Sequence, residues 1–321
     1  MQAKLYPLQF DPILKERIWG GQKLKTEFNK PIVSDITGES WELSTVSGDV
    51  SVISNGEYKG KSLTDLIKSF PEEILGTAAY KKYGTEFPLL FKFLDAKDDL
   101  SIQVHPNDKL AKKRHNSYGK TEMWYVMQAD ENARIIVGFK EKSSKEEYLE
   151  KLEEKSLLSI LKEVPVKKGD VFFLETGTIH AIGAGIVIAE IQQTSDITYR
   201  VYDWDRVDAE GKSRELHIDL ALDAINYNTT ETKKEYSEEA NVSNEMVSCP
   251  YFITSYLPIQ GEAKVENVHD SFTVYMCMEG IVDLEYNSEK WSYKKGDTVL
   301  IPAALKSYNL KGEGVLLEIH I

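Results

Sequence analysis

Residues 166–175 read Val-Lys-Lys-Gly-Asp-Val-Phe-Phe-Leu-Glu, and residues 293–302 repeat the pattern as Tyr-Lys-Lys-Gly-Asp-Thr-Val-Leu-Ile-Pro. Each copy has a Gly-Asp turn followed by β-branched or aromatic residues, a pattern typical of a strand. A similar strand precedes each copy, Trp124-Tyr-Val-Met in the first and Val274-Tyr-Met-Cys in the second. The repeated unit of strand, turn and strand predicts two related β-domains in one chain.

The length and the polar segments suggest how the two units are divided. A chain of 321 residues is long enough for two domains. Residues 231–244 are polar and nearly free of apolar side chains, so we expect them to form a linker. This interpretation places a first domain at residues 1–230 and a second, smaller domain at residues 245–321.

Helix-forming patterns are confined to the first domain. Residues 63–84 combine helix formers with apolar spacing, and Pro71 is expected to break this segment into two pieces. Residues 144–164 begin with Ser-Lys-Glu-Glu and place apolar residues near one face of a helix. A shorter helical pattern covers residues 213–227. The sequence therefore predicts a mainly β protein with a small helical portion.

The composition excludes several classes of protein. The chain has 39 basic and 52 acidic side chains, and its formal charge is −13. Such a charge argues against binding to nucleic acid or to an anionic membrane surface, because both rely on Lys and Arg. No apolar run is long enough for a transmembrane helix, and no secretory signal is visible. The two cysteines form no CxxC motif, so we expect a reduced, cytoplasmic protein.

Polar residues in strand-like segments of the first domain form a candidate metal site. Gln103 and His105 are two residues apart, so on a strand their side chains point to the same face. Glu122 begins the next predicted strand, and His180 follows the first Gly-Asp turn. Two imidazoles, a carboxylate and an amide oxygen together suit Zn²⁺ or a related divalent cation. Hydrogen-bonded core histidines are the alternative interpretation.

The second copy of the repeat lacks these polar side chains. Counting from the Gly-Asp turns, Ser307 corresponds to His180, and aligning the preceding strands makes Phe272 correspond to Glu122. If both copies share a fold, only the first has kept candidate ligands. We therefore expect the second domain to share the fold of the first but to lack its metal site.

Three basic side chains lie near these motifs. Strand alternation points Arg200 inward or into a cleft, where it would bind a carboxylate, a phosphate or a developing oxyanion. A salt bridge to Asp196 or Asp203 is the alternative. Lys92 interrupts a strongly apolar strand, and its alternative is a side chain that reaches solvent from an edge strand. Lys120 lies at the start of the strand segment that contains the candidate carboxylate ligand.

Four motifs in this order resemble the type I phosphomannose isomerases, in particular the short form of Gram-positive bacteria. They are Ser101-Ile-Gln-Val-His-Pro-Asn-Asp, Lys120-Thr-Glu-Met-Trp-Tyr, Gly177-Thr-Ile-His-Ala and Ile197-Thr-Tyr-Arg-Val-Tyr-Asp. The resemblance extends from Trp19-Gly-Gly to the C-terminal Gly296-Asp segment. It implies a tandem cupin fold, in which two double-stranded β-helix (jelly-roll) barrels follow one another and a helical portion packs on the first barrel.

The same resemblance implies an activity and the residues that carry it. The family consists of zinc enzymes that interconvert mannose 6-phosphate and fructose 6-phosphate, which we expect to proceed through an enediolate with one Zn²⁺ per chain. The residues that match the family's metal ligands are Gln103, His105, Glu122 and His180. The expected catalytic residues are Arg200 and Lys120, of which Lys120 is a candidate base. The expected contacts to the hexose phosphate are Lys92 and Ser101.

Two other functions are compatible with the same residues. One is a non-catalytic cupin that binds a sugar phosphate, although a pure binder would not need the complete ligand set together with Arg200. The other is a cupin metalloenzyme of a different reaction type, such as an iron dioxygenase or an epimerase, because two His and one carboxylate also suit iron. The identity of the metal and a turnover assay separate these possibilities.

Overall fold

The computed structural model describes residues 4–207 and 210–321, and within these ranges the chain is mainly β. The first part of the chain contains the strands β1 Ile13–Gly21, β2 Thr37–Leu43, β3 Thr45–Val46, β4 Asp49–Val50, β5 Leu89–Ala96, β6 Ile102–Val104, β7 Glu122–Ala129, β8 Arg134–Phe139, β9 Leu161–Pro165, β10 Val171–Leu174, β11 His180–Ile182, β12 Ile186–Gln193, β13 Tyr199–Tyr202 and β14 Lys233–Lys234. The last part contains β15 Asn244–Ser248, β16 Ile253–Glu266, β17 Thr273–Tyr286, β18 Glu289–Lys294, β19 Thr298–Ile301 and β20 Ser307–His320.

Two antiparallel sheets enclose the interior of the first barrel. One has the strand order β1-β2-β5-β12-β7-β10-β14, and the other has the order β13-β6-β11-β8-β9. Trp124 and Ile188 of the first sheet pack in one buried cluster with Val137 and Ile182 of the second. Because apolar side chains from both sheets meet there, this cluster forms one end of the barrel interior.

The second barrel is built only from residues after the first. Its sheet has the order β15-β16-β20-β17-β18, and β19 pairs with β17. Together with the first barrel it gives the tandem cupin architecture, so the predicted fold class is confirmed. The polar segment 231–244 is not a free linker along its whole length, because β14 pairs with β10 of the first barrel.

The repeated sequence motif forms the same turn in both barrels. The Asp170 carboxylate accepts a hydrogen bond from the Lys167 amide at 3.0 Å, and Asp297 accepts one from the Lys294 amide at 2.8 Å. The glycine before each aspartate has a φ of 90° in the first copy and 91° in the second, a region that glycine adopts without steric cost. The predicted internal repeat is therefore present in the backbone.

The strand register corrects one correspondence predicted from the repeat. Leu174 and Ile301 stand at the same position after the two turns; Leu174 pairs with Glu122, whereas Ile301 pairs with Thr273. Thr273, and not Phe272, therefore corresponds to Glu122. The sequence alignment of the strands was wrong by one residue, and such a shift turns every side chain to the opposite face.

The helices are short and lie between the strands of the first barrel. They are α1 Lys23–Thr26, α2 Leu63–Ser69, α3 Pro71–Leu75, α4 Thr77–Tyr83, α5 Asp108–His115, α6 Lys145–Glu153 and α7 Ile218–Leu222, with a 3-10 turn at Leu157–Ser159. Pro71 begins α3, which confirms the predicted break in residues 63–84. No helix within the described residues is long and apolar enough to cross a membrane.

Two predicted helices are shorter than expected. In residues 144–164, Ser144 caps α6 by accepting a hydrogen bond from the Glu147 amide, but the helix ends at Glu153. The end of this segment is strand β9, which pairs with the edge of β8, so sheet pairing outweighs the helical pattern there. In residues 213–227 only α7 is helical. Helix α5 was not predicted, although Asn107 provides its N-terminal cap.

The two barrels share a hydrophobic core. One buried cluster contains residues from both, and the rings of Phe87 and Phe272 are 4.6 Å apart between their centroids. The N-terminal segment also reaches the second barrel, where Leu8 exchanges two backbone hydrogen bonds with Leu300 of 2.8 and 2.9 Å. The barrels therefore pack as one body, which leaves the polar interior of the first barrel as the distinctive site.

Candidate active site

Three of the predicted metal ligands converge inside the first barrel. The ligand atoms of His105, Glu122 and His180 all lie within 4.8 Å of one another. Glu122 Oε2 is 3.6 Å from His105 Nε2, and Glu122 Oε1 is 3.4 Å from His180 Nε2. All three side chains are almost completely buried. Among the described residues this is the only such cluster of His, Cys, Asp and Glu.

Strand ends bring these residues together. His105 directly follows β6, Glu122 is the first residue of β7, and His180 is the first residue of β11. Strand β11 pairs with β6 through His180 and Gln103. The site is thus assembled by antiparallel pairing between segments that are far apart in the sequence.

The hydrogen-bonding pattern of the cluster fits a divalent cation. His105 Nδ1 is 3.0 Å from the Ile197 carbonyl and His180 Nδ1 is 2.8 Å from the Thr178 carbonyl, so each ring is oriented with Nε2 toward the carboxylate. His105 Nε2 and both Glu122 carboxylate oxygens are buried without a hydrogen-bond partner among the described residues. Buried groups left unpaired in this way are costly unless a cation satisfies them.

The charge states of the cluster lead to the same conclusion. Burial lowers the pKa of His105 well below its usual value, and Lys120 lowers it further. Burial also lowers the pKa of His180, to about 4. Both imidazoles are therefore neutral at pH 7, the state in which they bind metals. Burial and the nearby Glu190 raise the pKa of Glu122, which means that its negative charge is poorly stabilised by the protein alone. A bound metal ion would supply the missing positive charge.

Gln103 lies next to the cluster. Its side-chain amide nitrogen is 3.3 Å from His180 Nε2. Rotating the amide by 180° exchanges its nitrogen and oxygen, so the same position can offer an oxygen to a cation. The predicted fourth ligand is thus in place beside the other three.

The two predicted lysines have different surroundings. Lys120 Nζ is 3.5 Å from Glu122 Oε2. Lys92 Nζ donates to Glu190 Oε1 at 2.9 Å and lies 4.0 Å from Glu39 Oε2. Both lysines are buried. Burial alone would lower the pKa of Lys92, but Glu190 and Glu39 outweigh it and raise the pKa, so Lys92 stays charged. Lys92 is not at an edge, since β5 pairs on both sides.

Two acidic residues of this site were not predicted. Glu190 faces Lys92 directly across the β12–β5 pair and also accepts a hydrogen bond from Trp124 Nε1 at 3.2 Å. Burial would raise the pKa of Glu39, but Lys92 and Arg17 together lower it to about 2. A charged residue that interrupts an apolar strand was the signal that singled out Lys92, and the same signal in β12 would have identified Glu190.

A cavity of about 540 Å³ opens beside the cluster. Its volume falls in the range of small-molecule sites. The predicted site residues on its wall are Lys92, Ser101, Gln103, Lys120 and Arg200. Every candidate for catalysis or substrate binding therefore faces one space next to the candidate metal ligands.

Arg200 forms no ion pair with a carboxylate among residues 4–207 and 210–321. Its Nη1 donates to the Glu215 carbonyl at 2.8 Å, and its Nε is buried without a partner in those ranges. Asp203 pairs with Arg206 and Arg214 instead. The salt-bridge alternative for Arg200 is therefore wrong, and its guanidinium remains available to an anion in the cavity.

Fold and site together define a tandem cupin with a buried candidate metal centre. Residues 7–141 match the catalytic domain described as phosphomannose isomerase type I, and residues 243–321 match the cupin domain described as mannose-6-phosphate isomerase. A mannose-6-phosphate isomerase of Streptococcus mutans is 38% identical over 316 residues, which are 98% of each chain. The chain belongs to the type I phosphomannose isomerase family.

Further comparisons agree in sequence and in structure. The mannose-6-phosphate isomerase ManA of Bacillus subtilis is 38% identical over 319 residues, which cover 98% of this chain and 99% of the relative. The crystal structure of a mannose 6-phosphate isomerase from Bacillus subtilis superimposes with a TM-score of 0.91 at 35% identity, covering 99% of this chain and 100% of the other. The predicted family is confirmed.

Proposed function

We propose that this chain is a zinc-dependent aldose–ketose isomerase that interconverts mannose 6-phosphate and fructose 6-phosphate. The observation that carries the proposal is the cluster of His105, Glu122 and His180 on the border of a cavity that also exposes Arg200. Membership of the isomerase family supplies the substrate. The substrate in this proposal is a small hexose phosphate, and neither nucleic acid nor a membrane takes part.

His105, Glu122, His180 and Gln103 would hold one Zn²⁺. Two neutral imidazoles, one carboxylate and one amide oxygen leave the ion with a net positive charge. When bound, the ion supplies a Lewis acid for the oxygens at C1 and C2 of the sugar. The unpaired Glu122 oxygens and the neutral imidazoles support this assignment from the protein side.

Lys120 is the proposed base. The reaction moves a proton between C2 and C1 of the open-chain sugar and passes through an enediolate. From mannose 6-phosphate, the Lys120 amine would take the proton from C2 and return it to C1, while the hydroxyl proton on O2 moves to O1, so that the carbonyl at C1 is replaced by one at C2. Lys120 is buried against Glu122 and lines the cavity, so it is shielded from bulk water and positioned to reach a sugar bound there.

Arg200 is the proposed electrostatic partner. The difficult step creates negative charge on the sugar oxygens, and a preorganised donor that faces this charge lowers the barrier most effectively. Arg200 faces the cavity and forms no ion pair among the described residues. Lys92 and Ser101, on the same wall, are proposed to contact the substrate. Because Lys92 is held by Glu190, its position is fixed before the sugar binds.

The proposal includes a division of labour along the chain. Residues 1–230 would form the catalytic cupin, residues 231–244 the connection, and residues 245–321 a supporting cupin without metal ligands. All four candidate ligands lie between residues 103 and 180, which supports this division. We also propose a cytoplasmic location, since both cysteines are free thiols.

A coupled assay tests the proposed function. Formation of fructose 6-phosphate from mannose 6-phosphate is measured before chelation, after chelation and after adding back Zn²⁺ or Fe²⁺. We expect turnover to be lost on chelation and restored by Zn²⁺. No turnover by folded, metal-loaded protein would instead favour a sugar-phosphate-binding cupin, and restoration by Fe²⁺ alone would favour an iron enzyme.

A further inference from the structure

Three arginines surround one buried carboxylate at the edge of the cavity. Asp203 accepts hydrogen bonds from Arg206 Nη2 at 2.6 Å and from Arg214 Nη2 and Nε at 2.5 and 2.7 Å. Arg200, on β13 and three residues before Asp203, is the third. Arg200 and Arg214 both line the cavity. The single buried carboxylate therefore holds two guanidinium groups beside a third that has no carboxylate of its own.

The positive charges of these arginines repel one another. Burial lowers the pKa of Arg200, and the positive charge of Arg214 lowers it further. Among the described residues, Glu215 and the cavity-lining Asp196 are exposed, so water screens them, and Asp99, which lies near Arg206, is paired with Arg134. This end of the cavity thus carries more positive than negative charge, although the chain as a whole has a net charge of −13.

The opposite wall of the cavity is different. There Lys15 pairs with Asp49, and Arg17 donates to Glu39 at 2.7 Å. Each of these cations is matched by one carboxylate. Lys92 is matched as well, by the two carboxylates described above. A dianion entering the cavity would therefore have to compete with existing partners at that wall, and would meet fewer competing carboxylates beside Arg214.

We propose that Arg214 binds the phosphate group of the substrate, in the positive field of Arg200 and Arg206 and in the orientation set by Asp203. Asp203 uses the Nε–Nη2 edge of the Arg214 guanidinium, which leaves the Nη1 side free to donate. A guanidinium fixed in this way suits a phosphate dianion well. The sequence analysis expected Lys92 and Ser101 to contact the hexose phosphate; in this proposal Arg214 takes the phosphate group and those two residues contact the sugar.

This inference rests on the proposed function, because it takes the substrate to be a hexose phosphate. A non-reacting probe separates the two. Glucitol 6-phosphate has no carbonyl and cannot isomerise, so its affinity reports binding whether or not the protein turns over mannose 6-phosphate. Calorimetric titration into the metal-loaded full chain is compared for the wild type, Arg214→Ala, Arg214→Lys and Lys15→Ala.

We expect Arg214→Ala to weaken the affinity for glucitol 6-phosphate about tenfold to a hundredfold, which is the effect of losing hydrogen bonds to a charged group. Arg214→Lys should lose less, since it keeps the charge, and Lys15→Ala should change the affinity less than about twofold. Wild-type affinity in Arg214→Ala, no binding of the probe by the wild type, or a larger loss in Lys15→Ala than in Arg214→Ala would each overturn the proposal.

Kinetics adds a readout that a purely structural role would not change. If the wild type isomerises mannose 6-phosphate, Arg214→Ala should reduce kcat/KM for that substrate by the same tenfold to hundredfold factor, but leave kcat/KM for unphosphorylated mannose within about twofold. An equal loss for both sugars would show that Arg214 acts on the fold of the site and would overturn its assignment to the phosphate. Equal thermal melting curves for the variants exclude unfolding as the cause.

Discussion

The two barrels have the same backbone motif but very different interiors. In both, a strand leads through a Gly-Asp turn with the same hydrogen bond and the same glycine conformation. The first barrel places Glu122 where the second has Thr273. The hydrogen-bonded frame therefore does not determine the chemistry. A few inward-pointing side chains at strand ends do, and they can be exchanged while the frame remains.

The barrels also differ in how they stabilise buried polar groups. In the first, charge is balanced by charge, as between Lys92 and Glu190. In the second, Tyr275 donates to Glu318 at 3.0 Å and its hydroxyl is 2.9 Å from that of Tyr308. Neutral hydroxyl groups around one carboxylate cost less to bury than several ions. The buried ion pairs of the first barrel therefore depend more strongly on the presence of both partners than the hydroxyl–carboxylate contacts of the second barrel do.

The largest expected difference between the barrels is in the effect of substitutions at the corresponding positions Glu122 and Thr273. Glu122→Gln should reduce turnover by at least about a thousandfold and reduce the bound metal, because a Lewis acid contributes several kcal/mol to such a reaction. Thr273→Val, at the corresponding position of the second barrel, should stay within about twofold. Coupled kinetics and metal analysis of the purified variants measure both. Similar losses in the two variants would remove the functional distinction between the barrels.

The next largest effect is on stability, and it comes from the buried ion pairs of the first barrel. Lys92→Met should reduce the free energy of unfolding by about 3–5 kcal/mol, because it removes the ion-pair partner of the buried Glu190 and leaves Glu39 with Arg17 alone. In the second barrel, Tyr275→Phe should cost about 1–3 kcal/mol, the effect of one lost partner of a carboxylate. Urea denaturation measures both. A loss in Lys92→Met no greater than in Tyr275→Phe would contradict the idea that the first barrel depends more on its ion pairs.

Arg200 tests whether the first barrel's chemistry extends beyond its metal ligands. Arg200→Ala should lower kcat about a hundredfold or more with metal content unchanged, since one preorganised donor is worth ~3–4 kcal/mol in the transition state. Steady-state kinetics and metal analysis of the purified variant check this, because a reduced kcat at normal metal content separates a role in the reaction from a role in metal binding. Turnover close to that of the wild type would exclude Arg200 from the reaction.

The smallest predicted effect lies in the second barrel and depends on pH. Burial, and then the stacked His269 ring 3.7 Å away, lower the pKa of His320 to about 4. In the unfolded chain this imidazole binds a proton near its ordinary pKa of about 6.5, whereas in the folded protein it stays neutral until the pH approaches 4. The stability that His320 contributes as a neutral group is therefore complete above about pH 6.5 and is lost as the pH falls toward 4. Between pH 7 and pH 5 the loss is about 2 kcal/mol.

The variant His320→Asn isolates this contribution. The wild type and the variant are denatured with urea at pH 7 and at pH 5, and the change between the two pH values is compared. The other titrating groups, including the histidines of the first barrel, are the same in both proteins and cancel, and the effect of His269, which stacks on His320, is counted with that of His320. Equal pH dependence in the two proteins would show that His320 is protonated alike in the folded and unfolded states.

Most of the fold and of the candidate site could be predicted, because their signals are local. The Gly-Asp turns, the break at Pro71 and the start of α6 each depend on a few adjacent residues. His105, Glu122 and His180 also stand out locally, as polar residues at the ends of apolar strands.

The features that could not be predicted depend on pairing between distant segments. Glu190 interrupts an apolar strand, but its position opposite Lys92 follows only from the pairing of β12 with β5. Residues 161–164 were predicted as helix because their partner strand, β8, lies earlier in the chain and local sequence does not reveal the pairing. The role of Asp203 depends on Arg214, which is joined to it only by folding. The register in the second barrel was wrong because similar side chains suggested an alignment displaced by one residue.

The bridge between Leu8 and Leu300 has a consequence for how the protein is made. These residues are 300 − 8 = 292 positions apart, yet they share two hydrogen bonds. A ribosome adds roughly 5–20 residues per second, so the N-terminal segment emerges about 15–60 s before its partner exists. During synthesis the backbone groups of Leu8 must therefore wait for this partner until β19 has been made, and any pause in translation lengthens the time for which they are exposed.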